Sequence, residues 1–86
     1  MMMDLNKCEA AMVLDLETDW AWNVKFFADA RSKMEEAGIK VDFYEFKGDL
    51  KEEIEDLCQF YDFVVPSPQN LHLTPIRKRL EFLYVS

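Results

Sequence analysis

Apolar and polar positions along this chain change period most clearly between Gly38 and Gln69. Residues 39–46 alternate, with Val41, Phe43 and Glu45 facing opposite to Asp42, Tyr44 and Phe46, as in a strand. A polar turn, Lys47-Gly48-Asp49, follows. Leu50, Ile54, Leu57, Cys58 and Tyr61 then recur at i, i+4, i+7, i+8 and i+11, which predicts a helix over 50–61. Asp49 stands at its N-cap, and Glu52 follows at the spacing of a capping box. Residues 62–65 carry the unbroken apolar run Phe63-Val64-Val65, the pattern of a strand covered on both faces. Strand, helix and strand in this order form a parallel unit with a right-handed crossover.

The flanking segments extend the scheme. Ala11-Met12-Val13-Leu14-Asp15-Leu16 reads as a buried strand, with a helix over 4–16 as the competing reading. Glu17-Thr18-Asp19 supplies a break and an N-cap for a long helix over 20–37, closed by Gly38. Its core stripe is Trp20, Val24, Phe27, Ala30 and Met34. Trp22 and Phe26 fall one turn apart on another face, in a row continued by Asp29 and Lys33. Either they pack on the sheet or the N-terminal segment, or they form an exposed aromatic patch that marks a contact site. After a turn at Pro66-Ser67-Pro68-Gln69-Asn70, Thr74-Pro75 predicts the start of a third helix. It spans 76–83, with Ile76, Leu80 and Leu83 inward and Arg77, Lys78 and Arg79 toward water. The expected fold is a single α/β domain over residues 1–86, ordered β-α-β-α-β-α. Its three parallel strands lie in the order 2-1-3, with helices on both faces. In such a sheet the ligand crevice lies at the carboxyl ends of the strands. That rim gathers Glu17, Thr18 and Asp19, then Lys47 and Gly48, then Ser67, Pro68, Gln69 and His72.

Composition narrows the partners. At 86 residues the chain buries about 60% of its unfolded surface, so pairing with a second copy or another protein is expected. Half of its residues are apolar, enough for a packed core. No apolar run approaches the roughly 20 residues of a membrane span, and no basic-then-apolar leader is present. A soluble cytoplasmic protein is expected. Cys8 and Cys58 are too few for a disulfide framework and read as reduced thiols. The net charge of −7 lies unevenly, since before Pro75 there are 16 acidic and 7 basic residues. Phosphate repulsion then makes direct nucleic-acid binding unfavourable, and a protein partner with a basic surface is the expected one.

Little in the sequence points to catalysis. Asp15-Leu16-Glu17-Thr18 resembles the first motif of proofreading exonucleases, which holds two metal ions, but the further acids of that family are missing. His72 has no assignable Ser, Cys or Asp partner, and two glycines cannot build a phosphate-cradling loop. The stretch from Asp62 to Gln69, followed by Thr74-Pro75-Ile76, resembles the IIB component of lactose/cellobiose-type sugar phosphotransferase systems. Gly38-Ile39-Lys40-Val41-Asp42-Phe43 is similar to that family's second strand, so the likeness covers roughly residues 34–80. It implies a small parallel α/β fold and a phosphate carried on a cysteine after the first strand. Here Asp15 to Trp20 occupy that place without a cysteine, leaving Cys8 and His72 as the residues a degenerate phosphocarrier would use. The type II dehydroquinase pattern is a fainter echo over Ser67 to Thr74.

The preferred expectation is a small acidic binding protein without catalysis or cofactor. In type it resembles the inhibitors and modulators that phages and mobile elements direct at host enzymes. Trp22 and Phe26 are the expected anchors, with Asp29, Glu52, Glu53, Glu55 and Asp56 as the acidic surround. Glu17, Asp19, Ser67, Gln69 and His72 are the strand-edge candidates, and no metal ligand set is expected.

Overall fold

Residues 10–13 leave no room for solvent on either side, and the architecture follows from that run. Ala10, Ala11, Met12 and Val13 are each at most 1% exposed. Ala10 and Met12 enter one apolar cluster, while Ala11 and Val13 enter a second on the opposite face. The computed structural model describes residues 8–17 and 21–85, with Ala21 and Trp22 described by their backbone alone. Within them the chain forms β1 (Glu9–Asp15), α1 (Ala21–Glu36), β2 (Lys40–Phe46), α2 (Leu50–Leu57) and β3 (Phe63–Pro66). The sheet order is β2-β1-β3, both pairings being parallel. The helical alternative for the N-terminal segment is thereby excluded over Glu9–Asp15. α1 packs with the first cluster and α2 with the second, so the helices lie on opposite faces. Crossovers of one hand require this, because β1 to β2 steps one way and β2 to β3 steps back.

α2 forms as its periodicity dictates. Asp49 Oδ1 accepts from the Glu52 N–H at 3.3 Å, and Leu50, Ile54 and Leu57 are buried. The α-helix stops at Leu57, and the following residues tighten into a turn whose Phe60 N–H reaches back to Leu57. Tyr61 still packs inward. Its hydroxyl bonds that of Tyr44 and donates to Asp42 Oδ2 at 2.7 Å, tying the end of this turn to β2. At the other crossover, Gly38 adopts a φ of 81°, the left-handed geometry that ends α1.

Two expectations change. The buried row of α1 is Asn23, Phe27, Ala30 and Met34, whereas Val24 is 59% exposed. At 100° per residue Val24 lies about 90° from the centre of that row, so geometry outranks its hydropathy. Trp20, also placed on the stripe, lies outside the described residues. The third helix is absent. Three 3₁₀ turns, Pro68–Leu73, Ile76–Lys78 and Glu81–Tyr84, carry the end of the chain instead. Thr74 offers no capping bond, because it closes the first of these turns. Arg79 is extended (φ −89°, ψ 144°), which separates the second turn from the third. Leu80 and Leu83, three residues apart, are buried against α1, while Ile76 is 73% exposed. Nor do all three basic residues point to water: Lys78 Nζ donates to the Tyr61 carbonyl at 3.0 Å, and Arg79 Nε to that of Thr74 at 2.7 Å.

Truncating Ile54, fully buried, to Ala should cost about 2–5 kcal/mol in denaturant unfolding. Val24→Ala should stay within about 0.5 kcal/mol of the parent, since that side chain is mostly solvated.

Candidate functional site

The sheet divides the residues that the sequence grouped together. Phe26 and Asp29 stand on α1, and Glu52, Glu53, Glu55 and Asp56 on α2, across the sheet. Phe26 is half-buried, its ring 5.4 Å from that of Phe27 and 5.1 Å from that of Tyr84. It therefore belongs to the packed face of α1, and the core alternative describes it. The side chain of Trp22 lies outside the described residues. Asp29 is engaged by Lys33 at 3.1 Å, within its own helix.

At the carboxyl rim of the sheet, several polar side chains of the described residues are tied by hydrogen bonds. β1 stops at Asp15, and the Glu17 N–H donates to Asp15 Oδ1 at 3.0 Å, an Asx-type turn. Asp15 is only 5% exposed and Glu17 is exposed, so the two carboxylates do not project together as a metal-binding pair. Among the described residues no group of three His, Cys, Asp or Glu side chains could hold a metal ion. Asn23, in the first turn of α1, is fully buried, and its Nδ2 donates to Gln69 Oε1 at 3.5 Å. Ser67 is also fully buried and accepts from Asn70 Nδ2 at 3.1 Å. Tyr84 closes the same corner by donating to the Pro66 carbonyl at 2.7 Å. Of the strand-edge candidates, Gln69 and His72 face solvent, Ser67 is enclosed, and Asp19 lies outside the described residues, as does Thr18. Cys8 sits at the amino end of β1, remote from this rim, where its carbonyl accepts from Lys40. Burial pushes the Cys58 thiol up, against the pull of Lys78 and Arg77.

The open features lie elsewhere. Phe46, Lys47, Gly48, Asp49, Glu52, Glu53 and Asp56 line a shallow hollow of about 330 Å³ along the start of α2. Four carboxylates meet one ammonium there. Gly48, at φ 131°, makes the bend that joins β2 to this helix. Phe60, 76% exposed, stands in the turn that follows α2, four residues after Asp56. Phe60 is not among the expected anchors, and the signal that marks it in the sequence is its absence from the buried stripe. A second hollow, about 240 Å³ and apolar, lies between α1 and β2. Val24, Phe27, Ala28, Phe43, Met12 and Leu14 line it, with Arg31 as its one charged side chain among the described residues.

Family models, curated proteins and solved structures contain no match to this chain. No helix among the described residues is long and apolar enough to cross a membrane.

Two of the three tyrosines set an alkaline limit on the fold. Burial raises the Tyr84 hydroxyl well above its ordinary value of 10.0. Its bond with Tyr44 raises Tyr61, helped by burial and by Asp42. A raised phenol favours the folded state while neutral, so this stability is complete below pH 10.0 and is lost as pH climbs above it. A titration followed at the tyrosinate absorbance should show Tyr61 and Tyr84 ionising above the ordinary tyrosine range. Tyr84→Phe should keep the ring contact with Phe26 and lose the bond to Pro66, at a cost of about 1 kcal/mol.

Proposed function

We propose that this chain is a cytoplasmic, non-catalytic binding protein that occupies a basic surface of a larger protein through the outer side of α2. The supporting observation is the run Asp49, Glu52, Glu53 and Asp56 along α2, followed in the turn after the helix by the exposed ring of Phe60. An aromatic inserted into a pocket supplies most of the affinity of such a contact. The acids around it accelerate encounter with a cationic surface and reject anionic ones. Phe60 takes the anchoring role, and Glu55, exposed on the same helix, adds to the field. Modulation or inhibition of an enzyme is the outcome expected when the covered surface is one that binds nucleic acid or another polyanion.

The test is affinity capture from the source cell, comparing the parent with Phe60→Ala and with the double variant Glu52→Lys/Asp56→Lys. Both variants alter exposed positions, so their unfolding midpoints should match the parent's. A basic protein retained by the parent should be lost, or weakened at least about tenfold, by either change, and released by raised salt. Retention that neither variant alters would remove α2 as the contact and this reading with it.

A further inference from the structure

The two edges of the sheet are treated differently. β3 is four residues long, ends in Pro66, and has the Pro66 carbonyl taken by Tyr84. Short length, a terminal proline and a bonded carbonyl are devices that block addition of another strand. β2 is the opposite edge, seven residues without proline or bulge, pairing with β1 in unbroken register along its whole length. Its inner hydrogen bonds identify which groups face away from β1. The Lys40 N–H donates to the Cys8 carbonyl, and the Phe46 carbonyl accepts from the Leu16 N–H. Lys40, Asp42, Tyr44 and Phe46 thus turn their backbone toward β1, and Val41, Phe43 and Glu45 turn theirs outward.

We infer that β2 pairs antiparallel with β2 of a second copy, about a two-fold axis through Phe43. This register satisfies every outward group: Phe43 exchanges two hydrogen bonds with Phe43 of the other copy, and Val41 and Glu45 exchange two with each other at each end. A shift of one place sets inward-turned groups against outward ones, and a shift of two leaves some outward groups unpaired. The side chains agree with the backbone. Phe43, 48% exposed beside the apolar hollow, meets its own counterpart on the α1 face. Glu45 falls diagonally beside that counterpart, opposite Val41 of the other copy. The two sheets become one of six strands, in which both acidic α2 rows share a face. The pairing is independent of what α2 binds.

Sedimentation equilibrium and amide exchange by NMR test the inference together. The parent should reach twice the chain mass at high concentration. The amides of Val41, Phe43 and Glu45 should be protected there and exchange freely on dilution, while those of Asp42 and Tyr44 stay protected throughout. Phe43→Lys, at a half-exposed position, should remain folded by circular dichroism and sediment as a monomer. Three results would each overturn the inference: a parent that stays monomeric at millimolar concentration, a dimer whose Val41, Phe43 and Glu45 amides exchange freely, or a folded Phe43→Lys protein that dimerises as the parent does. Should Phe43→Lys fail to fold, the exchange pattern of the parent decides alone.

Discussion

Burial of β1 on both faces constrains everything around it. A strand with Ala10 to Val13 out of water must have its backbone paired on both sides and its side chains covered above and below. β2 and β3 supply the pairing, and α1 and α2 supply the cover, one to each face. The described residues form two α-helices for this cover. Where a third would complete the layer over β3, the 3₁₀ turns bring in Leu80, Leu83 and Tyr84 instead. The side chains needed at that seam lie three residues apart, and a tight turn presents such a pair on one side better than an α-helix does.

At the rim where ligands of larger α/β proteins sit, the described residues are tied by polar contacts. Asp15, Asn23 and Ser67 are buried there among hydrogen bonds that join the start of α1 to the loop after β3. These bonds hold the switch point of the sheet together. The outer surface divides by face. The α2 side is acidic and ends in Phe60, while the α1 side offers an apolar hollow beside an open strand edge. An acidic helix suits a cationic partner, and an unpaired edge suits another strand, so the two surfaces can be occupied at once.

Local patterning in the sequence determined the elements from Ile39 to Val65, and left the first strand open against a helical reading of residues 4–16. A period of two marked β2, a 3.6-residue stripe marked α2, and a run too short for a helix and bounded by turn residues marked β3. The capping aspartate before α2 and the glycine after α1 act within a turn of chain, so they too were legible. What only the tertiary structure decided depends on distant neighbours. Val24 and Asn23 differ by a single residue of helix rotation, and the side facing the sheet is selected by packing rather than by hydropathy. Phe26 is covered because Tyr84, far along the chain, lies against it, and Phe60 is bare because nothing does. Thr74-Pro75 carries the letters of a helix start, yet the need to bury Leu80 and Leu83 against α1 overrides them. Short-range signals specify the elements because their physics is contained in a few residues. Which side chains remain exposed for recognition is settled by how those elements meet.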